Sequence, residues 1–394
     1  TSVGSTVPVS LTWEKSTTYD VGLDLDFFNN RLSVSGDYYR RYTTDMYTAS
    51  VALPAVYGTG SPKGNNAEMK TDGWELSLSW RDSFKLGGKP FDYSIKAMVW
   101  DSKSVITKYV NDTGSLGTVK GFIENGGSPS SYYVGMTVGE IWGYTVAGLF
   151  RDQADIDSSA IHDFVQASDK VTRPGQVKIA DLDGNGFIDP GNFAVDDHGD
   201  LRIIGNQSPR YRYGVNLSAR WNGIGLSVFL QGVGARDWYP GSDAGMFWGK
   251  YGRPFFALIP SIHNYTDDMY SAERNNWDTA YWPRMTTYQS NGTKNWTRLL
   301  EIPNTRYIQS AAYLRVKNIQ LDYSFPKHIC SAIRLQGLKI YVNAENLFTF
   351  TPLHKYAPNF DPEGLSYDSD FASAADGYTY PILKSVTVGV NITF

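Results

Sequence analysis

One stretch has residue types and spacing that could hold a ligand without help from elsewhere: Asp181-x-Asp183-x-Asn185-Gly186-Phe187-x-Asp189. Side-chain oxygens fall at loop positions 1, 3, 5 and 9, Gly186 stands at position 6, and the Phe187 carbonyl at position 7. Hard oxygen donors around a sharp glycine turn are what an EF-hand-type calcium loop requires. Position 12, where a bidentate Glu closes the shell in that motif, is Asn192. The second reading is a glycine-rich turn whose Asp and Asn side chains cap their own backbone. A calcium ion here would be structural, fixing a long loop, and no other cofactor is required.

A second candidate is the segment after Arg236, which is dense in aromatic rings. Trp248, Tyr251, Trp277 and Trp282 are the candidate substrate-binding residues. Flat rings suit the C–H faces of a sugar, and Asp237, Asp243, Asp267, Asp268 and Arg253 could hold its hydroxyls. The same rings could instead pack the loop, meet a partner protein or form an interfacial girdle.

Enzyme readings find little support. The histidines His162, His198, His263, His328 and His354 are scattered, with no HExxH, no serine elbow and no phosphate-binding glycine loop. Carboxylates are common, but no spacing fixes a glycosidase pair. The lone Cys330 rules out an internal disulfide framework and reads as a buried small apolar residue.

Composition narrows the class. The chain has 394 residues, with 41% hydrophobic, 14% aromatic and only 19% charged; soluble domains carry roughly 25% charged residues. A net charge of −4 argues against a nucleic-acid partner. No stretch approaches the roughly 20 apolar residues of a spanning helix. A membrane barrel is compatible, because its apolar residues alternate with polar ones and vanish on averaging. No signal peptide is visible at the start.

Alternation is what the elements show. Tyr19, Val21, Leu23, Leu25 and Phe27 share one face, with Asp20, Asp24 and Asp26 on the other. After Asn29-Asn30, Leu32, Val34, Gly36, Tyr38 and Tyr42 oppose Arg31, Ser33, Ser35, Asp37 and Arg41, which predicts a hairpin. Trp74 to Trp80, Phe91 to Val99, Tyr211 to Ala219, Leu226 to Leu230 and Val386 to Phe394 repeat the pattern. About nine strands of roughly ten to thirteen residues are expected, longer than the five or six of soluble sheets and suited to a bilayer. Short turns at 28–30, 83–90, 221–224 and 326–336 alternate with long links at 43–70, 102–208, 237–309 and 348–381. All the long links then leave one rim, the asymmetry of an outer-membrane barrel. Charges on one face imply a watery lumen, since Arg or Lys facing lipid near the midplane costs about 2–4 kcal/mol. An odd strand count cannot close a bacterial barrel, so missing strands are expected before Thr1.

Tyr313-Leu314-Arg315-Val316-Lys317-Asn318 through Pro326, Leu338 through Thr349, Asp361-Pro362-Glu363 and Tyr380 through Phe394 form a set of separated motifs. Together they resemble the SusC/RagA-type TonB-dependent transporters of Bacteroidota. Trp13-Glu14-Lys15 with Tyr19 through Leu23, Ile141-Trp142-Gly143-Tyr144 with Gly148-Leu149-Phe150, and Pro174-Gly175 before Asp181 extend the likeness over nearly the whole chain. The resemblance implies an all-β fold: a transmembrane antiparallel β-barrel, of which residues 1–394 are the C-terminal portion of 22 strands. On that resemblance the N-terminal plug and the earlier strands are expected to be absent from this chain. It implies outer-membrane import of oligosaccharides or peptides, with a SusD-like surface lipoprotein as lid and energy supplied through TonB by way of the missing N-terminal part. It further implies contact with membrane lipid, dimers of SusC–SusD pairs, and no enzyme activity. The terminal Phe394 resembles the signal by which barrel-assembly machinery recognises its substrates, although it also suits a lipid-facing end residue. The alternative is a secreted or surface glycan-binding β-protein without a pore.

Overall fold

The computed structural model describes residues 11–49, 62–118, 121–122, 127–162, 172–240, 247, 268–284, 302–365 and 382–394. Four strands come first: β1 (Lys15–Phe27), β2 (Leu32–Ala49), β3 (Lys63–Leu86) and β4 (Lys89–Lys108). A long link then holds four short strands: β5 (Glu140–Tyr144), β6 (Val146–Leu149), β7 (Val177–Ile179) and β8 (Leu201–Asn206). Next are β9 (Arg210–Trp221) and β10 (Ile224–Ala235), the two-residue pair β11 (Asp237–Trp238) and β12 (Gln309–Ser310), and finally β13 (Tyr313–Ser324), β14 (Gly337–Phe350) and β15 (Ser385–Thr393).

Nine of these strands form one antiparallel sheet in the order β1-β2-β3-β4-β9-β10-β13-β14-β15. Each wall strand pairs with the next wall strand in the chain, so the sheet is a meander. This is the strand number the alternation predicts. The lengths differ from expectation, because β2, β3 and β4 run to 18, 24 and 20 residues. Pairing between β2 and β3 continues through two register shifts near Met46 as far as Ala49 and Lys63. The link expected over 43–70 is therefore only 50–62, and the turn expected over 83–90 shrinks to Gly87-Gly88.

The short turns follow from backbone chemistry. Gly87 and Gly88 have φ of 58° and 79°, and Asn222 and Gly223 have 51° and 85°. Two successive left-handed residues close a two-residue hairpin whose twist matches its strands. Between β13 and β14 a short helix, Lys327–Ala332, follows Pro326 and buries Cys330, as the sequence reading has it for that thiol.

Among the described residues the wall has no second sheet behind it. Tyr19, Val21 and Leu23 on β1 remain 65%, 76% and 61% exposed, and Val386, Val388 and Val390 on β15 are exposed too. The buried apolar residues gather instead in the long links at one rim. A sheet that offers its oily row to solvent is stable only if something apolar covers that row; for strands of this length the matching solvent is acyl chain.

Candidate binding surface and metal centre

The long links pack into a body at one rim. Trp238, Tyr239, Trp282 and Tyr307 are fully buried there. Trp282 stacks on Tyr307 with ring centroids 5.7 Å apart and meets Phe247 edge-on at 5.1 Å. Tyr281 lies flat on Tyr356 at 3.6 Å. Polar links tie the rings to the chain: Asn304 Nδ2 donates to the Tyr239 hydroxyl at 2.9 Å, and Arg306 Nε donates to the Tyr281 carbonyl at 2.8 Å. Burial pushes the Tyr281 phenol well above its ordinary value.

Of the candidate contacts, Trp282 is fully buried, with Tyr307 stacked on its ring and Phe247 edge-on to it. Trp277 is half-buried against the same core. Trp248 and Tyr251 lie outside the described residues.

A buried charge cluster joins this body to the wall. Arg315 on β13 is 2% exposed, and it donates from Nη2 to Asp361 at 2.6 Å, from Nη1 to Glu363 at 2.5 Å and from Nε to Thr349 Oγ1 at 3.0 Å. Lys317 adds a contact to Glu363 at 2.9 Å. The sequence reading quotes these residues for their resemblance but does not see that they bind one another across roughly 46 positions.

The inner face of the wall is polar. Asp37 stands opposite Glu75, Glu75 opposite Trp100, and Trp100 opposite Arg212. A hollow of about 370 Å³ is lined here by Ser35, Asp37, Glu75, Ser77, Met98 and Trp100. A ring with acids on one side and a guanidinium on the other can hold a polar solute. The alternation contained these positions, but cross-strand neighbours are not readable from one segment alone.

The acidic turn forms a compact knot. Asp181 Oδ1 accepts from Gly184 N at 2.6 Å and Oδ2 from Gly186 N at 2.9 Å. Those backbone donors hold the Asp181 carboxyl below its usual range. Asp183 accepts from Asn185 N, Asn185 Oδ1 from Phe187 N, and Asp189 Oδ1 from Gly191 N. Gly184 and Gly186 take φ of 77° and 84°, which needs glycine. Ile161 bridges to Phe187 and Ile188 is buried, which pins the turn to the loop body. Asn192 turns away to the carboxylate of Asp197. Asp200 arrives instead: its oxygens accept from Leu182 N at 2.6 Å and Asp189 N at 3.1 Å. It is fully buried, and burial pushes its carboxyl up, aided by the charges of Asp183 and Asp181. Sequence spacing offered no signal for Asp200. Phe394, the terminal aromatic, is 83% exposed beyond β15.

A long-stranded antiparallel wall with lipid-facing rows, a polar inner face and large links at one rim defines a class, the outer-membrane β-barrels, and comparison gives the family. Residues 2–196 match the family described as TonB dependent receptor-like, beta-barrel. TonB-dependent receptor P3 of Formosa agariphila is 26% identical over 393 residues, which is 98% of this chain and 34% of that protein. TonB-dependent receptor SusC of Bacteroides thetaiotaomicron is 24% identical over 391 residues, 98% of this chain and 32% of that protein. The RagAB peptide importer in its closed-closed state superposes with a TM-score of 0.63 at 20% identity, covering 98% of this chain and 36% of the other. Over residues 2–196 the chain thus matches the TonB-dependent receptor β-barrel family, and along its length it is similar to receptors of the SusC/RagA type. It spans about a third of the length of the curated relatives it matches.

Proposed function

We propose that this chain is part of an outer-membrane importer for oligosaccharides or peptides, closed by a SusD-like lipoprotein lid and energised through TonB. One observation carries the reading: the folded link body stands at a single rim of a wall whose outer rows are oily and whose inner face is charged. A solute captured at that rim would pass along Trp100, Glu75 and Arg212, and no bond would be made or broken. The relatives' shared name supports the TonB part. RagAB, a peptide importer, makes peptides one solute class to be tried, and the aromatic-rich link makes oligosaccharides the other.

The competing reading is a surface glycan-binding β-protein without a pore. Purification of the native protein from membranes separates the two. An importer needs detergent, co-purifies with a lipoprotein and supports uptake that stops when TonB is removed. A protein that stays monodisperse without detergent would defeat the proposal. The lid has its own test: removing the lipoprotein should open the 237–309 link to protease, and unchanged protection would count against that interface.

A further inference from the structure

Among the described residues the oxygens of Asp181, Asp183 and Asp200 come together, with one ligand atom of each lying within 4.8 Å of the others. Two oxygens bound to one calcium at about 2.3–2.6 Å lie at most about 5 Å apart, so this spacing fits a shared ion. Two further observations point into the same place. Asp200 is wholly buried, lies beside two like charges, and among the described residues has backbone amides but no Lys, Arg or His as partners; a buried carboxylate is costly unless its charge is paired or bound to metal. Tyr144 sits opposite Leu201 on the neighbouring strand. Its hydroxyl is buried without a hydrogen-bond partner, and the charges acting on it are those of Asp200 and Asp189.

We propose that the turn is a calcium site closed by Asp200 in place of the absent position-12 Glu, binding calcium from the exterior to lock the link between β4 and β9. Asn192 is drawn to Asp197, its Nδ2 donating to that carboxylate. Asp200 supplies the ligand from the strand side, where Leu182 and Asp189 amides already orient its oxygens. This inference stands independently of the transported solute.

The test uses the full-length protein in detergent, stripped with chelator and titrated with calcium, or with terbium for luminescence. Protease protection of the 109–209 link is the second readout. We expect saturable binding with a dissociation constant on the order of 10⁻⁴–10⁻³ M, the range of extracellular modules. Asp200→Asn should weaken it about tenfold or more, and Asn192→Ala should change it less than about threefold. If Asp200→Asn fails to fold, Asp181→Asn in the exposed turn carries the same expectation. No calcium-dependent protection at about 10 mM, well above that range, would overturn the proposal. So would an Asn192→Ala loss equal to that of Asp200→Asn.

Discussion

Arg40 and Asp72 meet across β2 and β3 on the outer surface of the wall, with Arg40 Nε donating to Asp72 Oδ1 at 2.5 Å. They share the alternating row of Tyr38 and Trp74, and Lys70 approaches Asp72 at 3.4 Å. A charge cluster does not sit in hydrocarbon without a large desolvation cost, so it marks the upper edge of the oily belt. At the other end of the same row of β3, Asp82 faces Arg31 at 3.4 Å. Asp72 and Asp82 are ten residues apart on that strand. At roughly 3.4 Å per residue this is about 34 Å of strand, or about 25 Å of height at a tilt near 40–45°. An outer-membrane barrel has an apolar band of about that height.

Leu78 lies within that band on the outer row and Ser77 beside it on the inner one. Leu78→Arg should cost about 2–4 kcal/mol of barrel stability, while Ser77→Arg should be tolerated. Heat-modifiable gel mobility and urea midpoints in lipid would show it. Equal effects at both positions would remove the lipid-facing assignment.

Arg315 holds two carboxylates from a buried position. Arg315→Met leaves Asp361 and Glu363 without their main partner and should cost about 3–5 kcal/mol. The loss should be local, appearing as new protease cuts within 351–365. Intact protection there would show that the link is held by its apolar contacts, Leu353 and Phe360, instead.

Trp282 separates packing from recognition. Trp282→Ala should cost about 3–5 kcal/mol through the cavity it leaves, opening the link body to protease with no solute present. A variant that kept full protection yet lost solute binding would return Trp282 to the recognition surface.

His162 gives the link body a dependence on pH. The ring is buried, with Nδ1 2.8 Å from the Ala160 carbonyl and Nε2 accepting from Ile179 N at 3.0 Å. Burial, with Lys178 nearby, holds its pKa below the ordinary 6.5. The unfolded state then binds the proton more readily than the folded one, so stability is present above about 6.5 and is lost as pH falls through the depressed value. The protection factor of the Ile179 amide should fall below about pH 6 and stay constant with pH in His162→Gln. A wild-type profile as flat as the variant's would refute the latch.

Alternation is a local property, so β1 and β15 were legible residue by residue, as were the glycine and asparagine turns. Boundaries were less so: β2 to β4 outrun their oily stretch because ladder pairing continues above the membrane, where no hydropathy pattern marks it. Within the acidic turn, Asp181 to Asp189 were visible because five oxygen donors in nine positions are a local pattern.

The sequence by itself determined the strand number, the oily and wet rows, the rim from which the long links leave, and the acidic turn, since each depends on neighbours two to twelve positions away. Only the tertiary structure decided that Asp200 joins Asp181 and Asp183 while Asn192 meets Asp197, that Trp282 is buried in the link body, that Arg315 is clamped by Asp361 and Glu363, and that Arg40 belongs to an oily row yet meets Asp72. Each of those contacts joins residues on different strands or links. Which of them meet is set by register and packing, and those exist only once the sheet has formed.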